Sequence, residues 1–366
     1  MDFYMPVRLF TGRNCLSAHS DELKKLGSRC CLITGASSAR KSGALDDAVS
    51  VLTALGTEFT IYDKIAANPL LSSCAEAGRI ANAFGAEYIL GIGGGSALDA
   101  AKAAAVFAAN PDLTEDGFYA KGWPHAPLPI ALIGTTAGTG SEVTKVSVVT
   151  DSKARKHSIH DDLLYASAAF GDAKYTMALP QSVTLSTGID VLTHCAESYF
   201  NRKANDISRV FALKGIRKLA APLTAAADGE TLSCEQREEL YEASLFGGLA
   251  ICVTGTCFPH NVGYYLTENY GIPHGFACAA FFPELLAHAE RCAPDYAAAF
   301  YAGTGLTKEA LLSLTEKALP VFNVRLTEEE ITAALPRWEN NGSVKATIGE
   351  VTLRDIRNML NKFIQK

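Results

Sequence analysis

Four side chains raise the question of chemistry in this sequence: Asp190, His194, His260 and His274. Asp190 stands four residues ahead of His194 in STGIDVLTHCAESYF (186–200), and on a helix that spacing puts both on one face. A carboxylate and an imidazole offered together in an apolar segment can be half of a divalent-metal site. The same pair also makes a buried Asp–His hydrogen bond, which on spacing alone is the commoner arrangement. His260 and His274 lie 14 residues apart in FPHNVGYYLTENYGIPHG. On one unbroken helix they would stand about 21 Å apart, too far to share an ion. Gly271 and Pro273 break that helix and let His274 begin the next one, folded back. One carboxylate and three imidazoles would suit Fe²⁺ or Zn²⁺, with room for a substrate oxygen. Separate roles for each His in core or surface stay open at this point.

Two loops of small residues point to a second chemistry. GGGS (93–96) and GTTAGTGSE (134–142) each follow a short apolar run. Small side chains let backbone N–H groups approach an anion, and a following helix N-terminus adds positive potential. A pyrophosphate is the natural guest. The first loop is not a G-x-G-x-x-G fingerprint, and no acidic residue ends the next strand in the usual way. One such loop is equally a tight strand–helix turn, whereas two on one sheet favour a nucleotide. Asp99 and Lys102 fall in the first turns after GGGS, where the helix dipole favours Asp99 in any case.

The elements that must position these residues come in two blocks. Strands are expected at Cys30–Thr34, Glu58–Tyr62, Tyr88–Ile92 and Pro129–Ile133, with helices at Leu45–Leu55, Leu70–Phe84 and Ala97–Ala109. Val143–Thr150 and Ala154–Ile159 read as a hairpin. This alternation predicts an open, mostly parallel sheet. After Pro180 apolar residues recur at helical spacing through 181–200, 204–226, 235–254, 257–270, 276–292, 307–318 and 352–364, with Pro222 among the residues marking joints. The expectation is an α/β domain over 1–179 and an all-α domain over 180–366, with a cleft between them.

Composition narrows the partners. The 366 residues are enough for two domains, and the net charge of -6 argues against nucleic acid. MDFYMPVRLF has an early Asp and no long apolar core, so no signal peptide is expected. The apolar stretch Ala100–Ala109 contains Lys102 and is too short to span a bilayer, so no membrane partner is expected. Ten cysteines without C-x-x-C spacing read as reduced core residues of a cytoplasmic protein.

Taken together, GGGSALDAAK (93–102), GTTAGTGSEVT (134–144), STGIDVLTHCAESY (186–199) and His260 with IPHG (272–275) make the chain recognisable. It resembles the iron-containing (group III) alcohol dehydrogenases, distant relatives of dehydroquinate synthases, over nearly its whole length. The resemblance implies a Rossmann-like nucleotide-binding domain followed by a helical metal-binding domain. It implies that Asp190, His194, His260 and His274 bind the metal, His274 also counting as catalytic. Gly94, Gly95, Ser96 and Asp99 match the family's pyrophosphate loop, and Thr135, Thr136, Thr139 and Ser141 its second cofactor loop. Asn68 matches an Asn near the cofactor, and Lys156 a Lys that reaches the ribose.

Two departures from the family pattern carry meaning. Gly35 stands where NAD-preferring relatives carry an Asp that binds the ribose 2′-hydroxyl and repels a 2′-phosphate. With Ser37, Ser38, Arg40 and Lys41 nearby, this favours NADP(H) over NAD(H). Tyr264 stands where many relatives have a second His beside the nicotinamide, which makes it a candidate proton relay or stacking wall. Phe258, Tyr264, Tyr265, Phe276 and Cys278 suggest an apolar to mildly polar substrate pocket, although they would serve equally well as helix packing. The expected activity is hydride transfer between NADP(H) and a primary or secondary alcohol, aldehyde or ketone, with Fe²⁺, Zn²⁺ or another divalent ion polarising the substrate oxygen. The alternative is a nicotinamide-using lyase or cyclase of the dehydroquinate synthase type, although the Lys/Arg cluster needed for an acidic substrate is missing from 186–200 and 257–282. A homodimer or higher homo-oligomer is expected.

Overall fold

Strands covered on both faces are written as unbroken apolar runs, and three such runs form the middle of one sheet. In the computed structural model, which describes residues 3–364, the strands are β1 (Arg8–Thr11), β2 (Arg29–Gly35), β3 (Glu58–Ile65), β4 (Tyr88–Gly93), β5 (Ile130–Gly134), β6 (Val146–Thr150), β7 (Lys156–His160) and β8 (Ala168–Gly171). Six pair in the order β1-β8-β5-β4-β2-β3, every pair parallel, while β6 and β7 form a separate antiparallel hairpin. Cys30, Leu32, Leu90, Ile92, Ile133 and Phe170 from the inner strands share one core cluster with Leu45, Ala48 and Leu52.

The chain divides into two compact units, one of Tyr4–Pro180 with Ser233–Tyr241, the other of Gln181–Leu232 and the remainder of the C-terminal half. The first unit carries α1 (Cys15–Ala18), α2 (Asp21–Lys24), α3 (Ser38–Lys41), α4 (Ala44–Leu55), α5 (Leu71–Phe84), α6 (Gly95–Ala109) and α7 (Glu115–Ala120). From Ala97 to Ala108 every α6 residue except Asp99 is buried, which explains its near-absence of polar residues. The exception among the buried ones is Lys102, fully enclosed. Its ammonium donates to the carbonyls of Ser141 (2.7 Å), Thr144 (2.9 Å) and Val146 (2.8 Å). Asp99 accepts from Ser141 Oγ at 2.6 Å and from the Val148 amide at 3.0 Å. One helix face thus ties the 134–144 loop and β6 to the helix after GGGS. The added segment Ser233–Tyr241 is anchored by Tyr241, whose hydroxyl donates to the buried Glu142 carboxylate at 2.6 Å.

The second unit is helical: α8 (Gln181–Tyr199), α9 (Asp206–Ala227), most of α10 (Cys234–Thr254), α11 (Phe258–Tyr270), α12 (His274–Ala279), α13 (Phe282–Cys292), α14 (Pro294–Thr304), α15 (Lys308–Ala318), α16 (Glu328–Ala334), α17 (Gly342–Ala346) and α18 (Leu353–Leu360). Among the described residues no single helix is long and apolar enough to cross a membrane.

Several elements differ from expectation. β1 and β8, each four residues long, complete the sheet but are too short for their pattern to stand out. The single helix expected over 276–292 is two, because Pro283 sits in the first turn of α13 and cannot continue the previous helix. Pro222 marks no joint; it lies inside α9. The helices α14, α16 and α17 had no counterpart in the sequence reading.

Lys102→Met leaves three buried carbonyls without their donor. Removing one partner of a buried charge network costs about 3–5 kcal/mol, so thermal unfolding should come roughly 10 °C lower. An unchanged melting temperature would show that the carbonyls find other donors.

Candidate functional site

Within the helical unit, three helices bring the expected metal-binding residues together. α8 presents Asp190 and His194 one turn apart, α11 supplies His260, and α12 opens on His274. The chain reverses through Gly271, which ends α11 with φ 65°, so the expected break at 271–273 is where the structure has it. Close helix approach needs small residues at the crossings. A Cβ on Gly275 would overlap the Ser186 carbonyl of α8, and one on Gly263 would stand 2.8 Å from the Cys278 backbone of α12.

The result is a convergence on one oxygen. Asp190 Oδ1 lies 3.4 Å from His260 Nε2, 3.9 Å from His194 Nε2 and 4.0 Å from His274 Nε2. Donors about 2.0–2.1 Å from one tetrahedral ion stand about 3.4 Å from each other, so the distances to Asp190 are those of a slightly expanded ligand set; of the four, Asp190, His260 and His274 also bring their donor atoms within 4.8 Å of one another, a group His194 does not join. Neither Asp190 Oδ1 nor His260 Nε2 has a hydrogen-bond partner although both are buried. Native structures rarely leave such atoms orphaned without an ion, water or ligand between them.

The field in this pocket calls for positive charge. Burial alone would raise the Asp190 carboxyl, yet the charges of His194 and His274, with His260, hold it well below the usual carboxylate range. Burial disfavours charge on His260, yet Cys278, Glu197 and Asp190 pull its pKa well above the ordinary value. A divalent cation fits both the donor types and this electrostatic demand.

Two participants lie outside the expected metal set. Glu197, fully buried and seven residues after Asp190 on the same helix, accepts from His260 Nδ1 at 2.5 Å and from the Cys257 amide. With Nδ1–H committed to a carboxylate, a cation that displaces the second ring proton would find the Nε2 lone pair turned toward Asp190. The Glu lay in AESY, and its i+7 spacing from Asp190 was the signal available. Cys278 is the second. Its sulfur belongs, with Asp190, His260 and His274, to a set of donors within 4.8 Å of one another. Tyr264 is half-buried with its ring 5.5 Å from that of His274, and burial pushes its phenol above the usual value, so it stays protonated.

Within the α/β unit, the two small-residue loops meet. Gly94 precedes α6 and Gly95 opens it; a Cβ on Gly94 would stand 2.9 Å from the Thr136 methyl, and one on Gly95 2.5 Å from the Thr139 methyl. Ser96 Oγ accepts from the amide of Asn68, which has φ 53°, at 3.3 Å. The Asn68 carbonyl in turn accepts from Thr150 Oγ1. Thr135 and Ser141 are buried beneath, Thr139 Oγ1 accepting from the Ser141 amide at 3.3 Å. Lys156 opens β7, and its charge reaches Asp99. Gly35 ends β2, followed by Ser37, Ser38 and Arg40, all exposed at α3.

Comparison with known proteins bears on both units. Residues 6–173 match the family model described as iron-containing alcohol dehydrogenase, and residues 184–327 match that of the Fe-containing alcohol dehydrogenase family, C-terminal. The chain is 34% identical to a sulfoacetaldehyde reductase of Bilophila wadsworthia, over 76% of this chain and 73% of that one. Its fold is similar to an iron-containing alcohol dehydrogenase from Thermotoga maritima, with TM-score 0.92 and 31% identity over 99% of both chains. It is also similar to a sulfoacetaldehyde reductase from Bifidobacterium kashiwanohense in complex with NAD+, with TM-score 0.87 and 26% identity over 100% and 99% of the two chains.

Glu197→Gln keeps the shape of the side chain but removes the charge that orients His260. Loss of such a partner typically weakens metal affinity about 10–100-fold, and competitive chelator titration of the folded variant should read that loss. Unchanged affinity would mean that His260 is oriented without it.

Proposed function

The chain belongs to the iron-containing alcohol dehydrogenase family, and on that premise we propose that it reduces a small aldehyde or ketone with NADP(H), or oxidises the matching alcohol, at a divalent metal held by Asp190, His194, His260 and His274. The observation that carries this reading is the convergence of three imidazole Nε2 atoms on one buried, unpartnered carboxylate oxygen. Held there, Fe²⁺ supplies Lewis acidity toward a substrate oxygen, while the nicotinamide supplies or accepts the hydride.

The protein's own residues orient and stabilise. Asp190 gives the site its fixed negative charge, and Glu197 holds His260 in the tautomer whose Nε2 is free to donate a lone pair. Tyr264, kept protonated by burial, is suited to deliver a proton to the oxygen of the reduced product and unsuited to act as a base near neutral pH. The amides at the start of α6 are placed for a pyrophosphate, with the small residues 93–96 and Thr136 and Thr139 giving it close approach. Asn68 and Lys156 border the same region.

NADP(H) preference rests on what surrounds the end of β2. Gly35 brings no carboxylate that would repel a 2′-phosphate, and Ser37, Ser38, Arg40 and Lys41 offer hydroxyls and positive charge in exposed positions. The relative solved with NAD+ shows that the fold also accepts the unphosphorylated form, so the preference is a property of these side chains.

Anaerobically prepared protein with Fe²⁺ should oxidise NADPH in the presence of a panel of small aldehydes and stop when a chelator removes the metal. His260→Ala should lose bound metal and turnover together; turnover by metal-free His260→Ala protein would refute the assignment. Arg40→Ala tests the cofactor. Losing one charge-assisted hydrogen bond costs about 1.5–3 kcal/mol, roughly ten- to hundredfold in kcat/KM for NADPH, with NADH little changed. Equal losses for both cofactors would remove Arg40 from phosphate recognition.

A further inference from the structure

Cys278 differs in its surroundings from the other buried cysteines. Cys30 and Cys31 lie inside β2, Cys30 within the apolar core cluster and Cys31 with its thiol donating to the Leu32 carbonyl at 3.9 Å, and the Cys257 thiol donates to the Glu197 carbonyl at 3.3 Å. The Cys278 sulfur instead points among groups that bind metals. It is 3.5 Å from His274 Nδ1 and 3.9 Å from His274 Nε2, and within 4.8 Å of the donor atoms of Asp190 and His260. The residue is fully buried, so this is no surface thiol swinging past a pocket. Its position is built from two directions. Four residues after His274 on α12, it shares that residue's helix face, and the Gly263 backbone of α11 presses directly on its own.

Resting on the metal reading above, we infer that Cys278 is a thiolate ligand of the same ion, joining Asp190 and the imidazoles and turning a nitrogen–oxygen site into one with a sulfur donor. On binding, the thiol proton leaves to solvent and a sulfur lone pair forms the new bond to the cation; a coordinating thiol is deprotonated outright. A soft donor changes which ion is held. Thiolate strengthens binding of Zn²⁺ relative to harder ions, and the site becomes one in which zinc competes well against Fe²⁺.

The test is spectroscopic and needs no turnover. The full-length protein is stripped of metal, loaded with Co²⁺ alone under anaerobic conditions, and its near-ultraviolet absorption read beside its cobalt content. The expected result is one cobalt per chain with an intense sulfur-to-cobalt charge-transfer band, lost in Cys278→Ala while cobalt remains bound. Cys278→Ser repeats the comparison should the alanine variant fail to stay folded. Zinc and iron offered together should show zinc favoured by the unaltered chain and that preference weakened in the variants. Stoichiometric cobalt without the band, or a band that survives loss of Cys278, overturns the thiolate and leaves the metal centre standing. A chain that retains no cobalt at all overturns both.

Discussion

A carboxylate removed from water cannot hold its charge unless positive charge comes with it, and the helical unit is arranged around that requirement at Asp190. The residue is 2% exposed, and its Oδ1 meets imidazole edges at 3.4–4.0 Å. Meeting the requirement takes three helices, and three helices come this close only where glycine replaces a side chain, at positions 263 and 275. The orientation of the imidazoles is then a separate problem, solved for His260 by a second buried carboxylate behind it. The site is therefore two charges deep, and its outer layer is what aims the inner one.

The α/β unit handles a buried charge of the opposite sign in the opposite way. Lys102 is as enclosed as Asp190, but its three protons are all taken up by carbonyls at 2.7–2.9 Å. A charge so fully satisfied has nothing left to offer a ligand, and its effect is to hold loops in place. Asp190 and His260, with unpartnered atoms facing each other, keep capacity in reserve. The contrast between a saturated buried ion and an unsaturated one separates scaffold from site in this chain.

Much of this was legible in the sequence, for identifiable reasons. Long elements such as β2, β4, α4 and α8 could be read within a residue or two, because both-face burial leaves an unbroken apolar run in the strands and one-face burial leaves a helical period in α4. The metal residues could be named because Asp190 and His194 are neighbours on one helix and because Gly271 and Pro273 announce the turn that returns His274. What stayed hidden depends on contacts across the fold. Glu197 is one more acidic residue in AESY until His260 is seen beside it. Cys278 reads as pocket lining until α11 and α12 are brought together. β1 and β8 carry four residues each and take their identity from the strands they join.

That last pairing has a consequence for how the protein is made. Arg8 sits opposite Ala168, so β1 gains β8, its one sheet neighbour among the described residues, 160 residues after it is synthesised. At typical rates of about 5–20 residues per second, the strand waits on the order of 10–30 s before a partner exists. During that interval RLFT is an unpaired edge with two large apolar side chains, Leu9 and Phe10, while β2 to β5 can already assemble from consecutive segments. β1 is therefore placed long after it leaves the ribosome, and until β8 emerges its apolar side chains stay open to chaperones or to misassociation.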